Sequence, residues 1–314
     1  MEINMKKIFI DGGAGTTGLR IVERLSNRDD LVVKVLPDDE RKNIERRREC
    51  INKSDVTFLC LPDDAAREAV SLVENENTVI IDASTAHRTL PEWAYAFPEL
   101  SEAHYNKIKT SKRIAVPGCH AGGFIALVYP LIEAGALSPE EKLVCVSLTG
   151  YSGGGKSMIA DYNNEERSNL LDAPRQYGLT QQHKHLKEMK AITGMSDFPI
   201  FTPIVGDFYS GMEVTVPLFA SQLENEFGIE EIRNIYKNKY NGRIVSYRDN
   251  TDESGFLSAV KLGGKDTMEI SVFGNNDRIL LTARYDNLGK GASGAAIEAM
   301  NIALGIEKET GLEL

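Results

Sequence analysis

Through the first 117 residues, short apolar runs alternate with amphipathic stretches. Residues 7–11 (Lys-Ile-Phe-Ile-Asp), 31–36, 56–61, 78–82 and 113–116 each read as a strand. Residues 19–25 carry helical periodicity, and Asp63 opens a second helix that runs to about residue 74. Near-continuous apolar strands separated by helices predict a parallel sheet covered on both faces. Past Cys119 the pattern changes. A helix over 121–133 leads to a strand at 143–148, then to a polar, glycine-rich connection over 150–177. Later strands, such as 211–217 and 268–273, lie closer together and alternate better, with one helix over 230–239. This is the pattern of an α+β domain with a mixed or antiparallel sheet. Residues 291–305 form an Ala-rich final helix. The 150–177 connection is long for an idle loop and is expected to serve a site or an interface.

The length of 314 residues supports two domains, and a 42% hydrophobic, 26% charged composition is that of a folded globular chain. A formal net charge of -10 disfavours nucleic acid and anionic membranes as partners, although one local basic pocket for a phosphate remains compatible with it. No apolar run reaches the roughly 18–20 residues that span a bilayer. The first seven residues lead straight into a strand with no signal-peptide core. Cys50, Cys60, Cys119 and Cys145 are widely spaced without a Cys-x-x-Cys pair, so free thiols in the cytoplasm are expected.

Gly13-Ala14-Gly15-Thr16-Thr17-Gly18 matches G-x-G-x-x-G, follows a strand and opens a helix. In that setting the backbone approaches a pyrophosphate, and N–H groups at the helix N-terminus meet its charge. A Rossmann-type dinucleotide site is the expectation. Asp38 or Asp39 has the spacing of an acid that binds the ribose of NAD. The next turn carries Arg41, Lys42, Arg46, Arg47 and Arg48, which suit the 2′-phosphate of NADP, although Glu45 and Glu49 are interleaved as on a solvated helix face. The balance favours NADP, with Arg41 and Lys42 as the contacts. Residues 61–64 and 83–85, including Ser84, fall at strand C-terminal ends, where open α/β sheets bind ligands.

Cys60 and Cys145 lie inside apolar strands and read as core residues, and Cys50 sits in a charged helix. Cys119 differs, because Val116-Pro117-Gly118-Cys119-His120-Ala121-Gly122-Gly123 places it on a sharp strand-to-helix turn. The positive end of the helix dipole stabilises a thiolate there, and nearby main-chain N–H groups suit an oxyanion. A cysteine paired with a nicotinamide suggests an acyl group passing between thioester and thiohemiacetal. That chemistry needs an acid/base. His87 and His104 read as surface residues, and His120 as pointing away from the nucleophile because successive helical side chains diverge. His183-Lys184-His185 is the dense cluster. Positions two apart on a helix do not share a face, so one of the pair, with His183 favoured over His185, is expected to meet Cys119. A metal-binding His-x-His would need further ligands at metal spacing, which the sequence does not offer.

These features together resemble the short-type N-acetyl-gamma-glutamyl-phosphate reductases, relatives of the aspartate-semialdehyde dehydrogenases. The resemblance covers nearly the whole chain. It rests on the Gly13–Gly18 turn, Asp82-Ala83-Ser84-Thr85-Ala86-His87-Arg88, Pro117-Gly118-Cys119, His183-Lys184-His185 and Asp286-Asn287-Leu288-Gly289-Lys290-Gly291-Ala292-Ser293-Gly294. It implies NADPH-dependent reduction of N-acetyl-glutamyl 5-phosphate to the 5-semialdehyde and inorganic phosphate, in arginine biosynthesis. Cys119 would be the nucleophile, with His183 and His185 supplying the acid/base. Arg88 would bind the acyl phosphate, Asn287 would lie at the nicotinamide, and Ser152 and Lys156 would contact substrate. Longer relatives carry Pro-Gly-Cys-Tyr-Pro-Thr and Val-Ser-Gly-Ala-Gly where this chain has Cys119-His120-Ala121 and Tyr151-Ser152-Gly153. Residues 1–117 with 289–314 would form the dinucleotide-binding domain, and 118–288 the catalytic and oligomerisation domain of a homo-oligomer, dimer or tetramer. Two other readings stay open: the same chemistry on aspartyl or aminoadipyl phosphate, and a catalytically dead nucleotide sensor.

Overall fold

Six parallel strands, β1 (Lys6–Asp11), β2 (Leu31–Lys34), β3 (Val56–Leu59), β4 (Val79–Asp82), β5 (Ala94–Tyr95) and β6 (Arg113–Ala115), lie in the order β2-β1-β3-β4-β6-β5. The computed structural model describes residues 5–314 of the chain. β1 shows why this sheet is covered on both sides. Ile8 and Ile10 join a buried cluster with Ile21, Leu25 and Val56, while Phe9 joins another with Ile51, Leu59 and Ala69. Strand side chains alternate between faces, so a run apolar at every position has to be buried twice. Helices α1 (Thr16–Leu25), α2 (Ile44–Lys53), α3 (Asp63–Ser71) and α4 (Glu102–Thr110) provide the cover. Several strands stop short of the apolar runs that announced them. β2 ends at Lys34 and β3 at Leu59, because Val35 and Cys60 turn to pack against the glycine loop that follows β1.

The second set of elements begins with α5 (Cys119–Glu133), β7 (Val144–Gly150), α6 (Gly155–Asn163), β8 (Arg175–Gln176), α7 (His185–Thr193), β9 (Ile200–Gly206) and β10 (Met212–Phe219). It continues with α8 (Ile229–Lys239), β11 (Val245–Tyr247), β12 (Met268–Gly274) and β13 (Arg278–Tyr285). The seven strands form one sheet ordered β11-β12-β13-β10-β7-β9-β8, antiparallel except for the β11/β12 and β7/β9 pairs. The chain then passes through a π-type turn, Gly289–Ser293, into α9 (Gly294–Leu304). Two compact units result, one of residues up to Pro117 with Ala292–Leu312, the other of Gly118–Gly291 with Glu313 and Leu314.

Helix α5 is apolar nearly all round because it is buried on nearly all sides of the second unit. Gly123 lets β13 and β10 come close: a Cβ there would meet the Tyr285 hydroxyl at 2.5 Å and Val214 at 2.7 Å. Pro130 within this helix cannot donate to the Ala126 carbonyl, and the Tyr240 hydroxyl does so instead at 2.8 Å. The 150–177 segment is not the plain loop its composition suggested. It holds two short 3-10 turns, α6 and β8. Glycines at 150 and 153–155 hid that helix from a periodicity reading, and Gly155, at φ +74°, opens it.

Candidate functional site

At the end of β1 the backbone turns on Gly12, at φ +86°, where a Cβ would collide with the Cys60 carbonyl oxygen at 2.3 Å. The sequence reading gave the nucleotide contacts to Gly13, Gly15, Thr16, Thr17 and Gly18 and noted Gly12 only as the residue in front of them. Gly18 is fixed by the same crowding, since a Cβ would lie 2.5 Å from the Gly12 oxygen. Gly15 is different, with nothing nearer than 3.5 Å, so its missing side chain leaves space outside the fold. Gly15 caps α1 without a side-chain hydrogen bond, and the first turn carries no acid. The Thr16 hydroxyl is buried there without a hydrogen-bond partner among the described residues. Unfilled N–H groups, an orphan hydroxyl and a glycine cradle together fit a pyrophosphate.

The arginine-rich segment beyond β2 divides into two. Arg47 is buried under the loop, bonding Asp11 at 2.9 Å and Glu68 through its other arm. Burial holds the Asp11 carboxyl above its ordinary value in spite of that arginine. Arg46 is engaged by Glu40 and Glu49, and Arg48 by Glu74 and Glu45. Arg41 and Lys42 remain exposed, with Arg41 3.4 Å from the more exposed Asp38. After β4, the Ser84 hydroxyl donates to Asp82, whose carboxylate also meets His87 Nδ1 at 2.6 Å. His87 is therefore not a surface residue: it is 5% exposed and stacks on Trp93 with ring centroids 4.1 Å apart. Its polar sequence neighbours were misleading because Asp82 enters from a buried strand end. Arg88 follows, buried, with one nitrogen donating to the Ala83 carbonyl at 3.1 Å.

Cys119 is the first residue of α5 and is half-buried. Gly118 caps the helix with no side-chain bond, and its N–H donates to the buried Glu188 carboxylate at 3.1 Å. The Tyr285 hydroxyl donates to the Cys119 carbonyl, and a Cβ on Gly291 would lie 3.1 Å from the Cys119 Cβ. The nucleophile turn is thus held from three directions, by α7, β13 and the turn before α9.

The two candidate histidines come together. α7 begins only at His185, so His183 lies in the turn before it, and the divergence of helical neighbours does not apply. Their rings are 4.7 Å apart, and the His185 N–H donates to His183 Nδ1 at 3.2 Å. His183 is half-buried and His185 buried. Both rings pack on His120, at 5.8 and 5.5 Å. Its ring turns inward to the sheet, where Nδ1 meets the Ser147 hydroxyl at 2.7 Å and Nε2 the Tyr177 hydroxyl at 2.6 Å. Burial, then the charge of His183, push the His120 pKa down to about 3, so the ring is neutral. Burial first, and Cys119 next, raise Tyr177 above the usual phenol range. Sequence reasoning gave no role to Tyr177, Ser147 or Glu188, although Tyr177 and Glu188 flank the His-x-His cluster, six residues before it and three after.

Ser152 and Asn287 also meet, with Asn287 Nδ2 donating to the Ser152 hydroxyl at 3.0 Å while its Oδ1 accepts from Gly211 N–H at 2.9 Å. Lys156 is exposed in the first turn of α6. Arg175 stacks over Tyr162, and its Nε is buried without a partner among the described residues.

Two family models match the chain: "Semialdehyde dehydrogenase, NAD binding domain" over residues 7–108, and "Semialdehyde dehydrogenase, dimerisation domain" over residues 119–287. The N-acetyl-gamma-glutamyl-phosphate reductase of Trichormus variabilis is 44% identical, the alignment covering 99% of this chain and all of that one. The protein of the same name from Sinorhizobium medicae is 44% identical, with 95% of this chain and 98% of that one covered. Among solved structures, aspartate semialdehyde dehydrogenase II of Vibrio cholerae, complexed with ASA, superposes with a TM-score of 0.72 at 14% identity, over 96% of this chain and 99% of that one. Aspartate semialdehyde dehydrogenase of Candida albicans, with NADP, gives 0.66 at 15% identity, over 95% and 98%. At that identity the likeness establishes the fold.

Proposed function

The chain belongs to the N-acetyl-gamma-glutamyl-phosphate reductases, and on that premise we propose that it reduces N-acetyl-glutamyl 5-phosphate to the 5-semialdehyde with NADPH, releasing phosphate, in arginine biosynthesis. The observation that carries the reading is a half-buried thiol at a helix N-terminus, with a histidine pair packed on the ring of the residue that follows it. The dinucleotide belongs on the loop from Gly12 to Gly18, with the orphan Thr16 hydroxyl toward its pyrophosphate and Arg41 and Lys42 toward a 2′-phosphate. When bound, it supplies the hydride that takes the thioester carbon to the aldehyde level.

The protein's own part follows from its groups. Cys119 thiolate attacks the acyl carbon, and the bond to the phosphate oxygen breaks, leaving the acyl group on sulfur. Arg88 grips phosphate oxygens, as a planar guanidinium does bidentately. First-turn N–H groups of α5 stabilise the oxyanion. His183, open enough to exchange protons with water, gives its proton to the alkoxide oxygen and recovers it when that oxygen re-forms the carbonyl and the sulfur leaves. The 3.2 Å contact from His185 orients its ring without a tight hold. Arg175, two residues before Tyr177 and on the same strand face, suits the substrate's carboxylate through its unpartnered Nε.

The open face of the second sheet supports a homodimer. Helices cover the face bearing Ser147, Val214 and Tyr285, whereas Val146, Leu148, Ile200, Phe219 and Leu280 point to the other side, three of them exposed. Among the described residues no helix is long and apolar enough to cross a membrane. Four free thiols support a cytoplasmic setting. The deciding assay supplies N-acetyl-glutamate semialdehyde, phosphate and NADP or NAD, and follows phosphate-dependent reduction of the nucleotide. Aspartate semialdehyde preferred over the acetylated substrate would overturn the reading, and so would turnover that needs no phosphate.

A further inference from the structure

We infer that His120 is a positioning residue for the Cys119 site, acting through Tyr177 by fixing the direction in which the phenol hydrogen points. The inference rests on the reading above for the identity of the reaction, but not for its geometry. His120 follows the nucleophile directly in sequence, yet its ring is turned to the sheet and engaged at both nitrogens, by Ser147 on β7 and by Tyr177 just beyond β8. It is 3% exposed and enclosed by the rings of His183, His185 and Phe201, so no water competes for either nitrogen.

A neutral imidazole has one N–H and one bare nitrogen, and these three groups therefore have two hydrogen arrangements. In one, Nδ1–H donates to Ser147 and the Tyr177 hydroxyl donates to Nε2, which leaves the phenol only an acceptor toward the site. In the other, Ser147 donates to Nδ1 and Nε2–H donates to the Tyr177 oxygen. The phenol hydrogen is then free to point away from His120, toward the cluster that holds Cys119 and His183. The ring carries one hydrogen in both arrangements and no charge moves. The second makes Tyr177 a donor for an oxygen that gains negative charge beside Cys119, and it also gives the hydrogen of the wholly buried Ser147 hydroxyl an acceptor in His120 Nδ1.

The test is a double-mutant cycle on His120→Phe and Tyr177→Phe, read as kcat in the phosphate-dependent assay. Loss of a donor to a developing oxyanion lowers kcat by about 10²-fold, so Tyr177→Phe should show a drop of that order with KM little changed. His120→Phe should show a comparable drop, and the double variant should be no more than about twofold worse than Tyr177→Phe. His120→Gln, which keeps one donor and one acceptor, should recover part of the loss and serves as the partner in the cycle if the Phe variant does not fold. The inference is overturned if His120 variants lose the same factor in both backgrounds, which is what a packing role gives, or if they lose nothing. A second readout is independent of substrate: the rate of Cys119 alkylation by iodoacetamide across pH, followed on the Cys119 peptide by mass spectrometry. Non-additive shifts in that profile support the coupling even where the acetylated substrate is not turned over, and additive ones remove it.

Discussion

Of the four thiols, only that of Cys119 opens a helix. Burial, with Asp82 and Asp11 nearby, pushes the Cys60 thiol up to about 12, and burial raises Cys145 further. Cys145 was legible as a core residue from its apolar neighbours, whereas Cys60 lies just past the end of β3 and is only half-buried by its surroundings. Iodoacetamide at pH 8 should therefore label Cys119 and leave Cys60 and Cys145 unmodified, as peptide mapping will show; prompt labelling of Cys60 would contradict its environment. Cys119→Ser should abolish phosphate-dependent turnover while nucleotide binding, measured by fluorescence titration, stays intact. His183→Asn should lower kcat about 10²–10⁴-fold if it moves the proton. The same loss in His185→Asn, with His183→Asn near normal, would reassign the role. The sequence named both histidines and argued from helical divergence that only one meets Cys119. The helical premise does not hold, because α7 starts at His185, one residue after Lys184, and His183 lies outside it.

At the scale of elements, the β1–α1 loop separates glycines required by the fold from one left open for a ligand. Gly12→Ala puts a Cβ against a backbone oxygen at a positive φ and should destabilise by about 1–3 kcal/mol, seen as a lower urea midpoint. Gly15→Ala meets only ordinary contacts, so its midpoint should stay put while the KM for NADP rises. A Gly15→Ala protein with unchanged KM would show that the dinucleotide does not approach there. In the second unit, Tyr240→Phe leaves the Ala126 carbonyl unsatisfied above Pro130 and should cost about 1–3 kcal/mol. That pairing was invisible in the sequence, because Tyr240 and Pro130 are far apart along the chain and the hydroxyl reaches the freed carbonyl only after α8 packs on α5. The glycine motif, in contrast, is local, and a short span of sequence contained nearly all of it.

For the whole molecule, the buried neutral His120 links stability to acidity. Its pKa falls from an ordinary 6.5 to about 3 in the folded state, so between those values the unfolded chain binds the extra proton. Stability contributed this way is fully present above pH 6.5 and is lost as pH falls toward 3, at up to about 1.4 kcal/mol per unit. Urea midpoints from pH 7 to 4 should decline less steeply in His120→Gln than in the parent, and equal slopes would place the proton elsewhere. The open sheet face gives the second prediction at this scale. Val146→Lys with Leu148→Lys should convert a dimer to monomer in sedimentation equilibrium, without changing the helix-covered side of the strands.

What the sequence determined by itself was whatever depends on neighbours along the chain. Two-sided apolar strands specified a parallel sheet, the glycine turn marked a nucleotide loop, and Pro117-Gly118-Cys119 put a thiol at a helix start. The tertiary structure alone decided which polar side chains are buried together. His87 moved from the surface to a carboxylate and a tryptophan, His120 turned inward to Ser147 and Tyr177, and Arg47 was drawn beneath the loop. Local pattern reports the average environment of a residue type. The fate of a buried polar group instead depends on whether a distant segment brings it a hydrogen-bond partner, because without one its desolvation would go uncompensated.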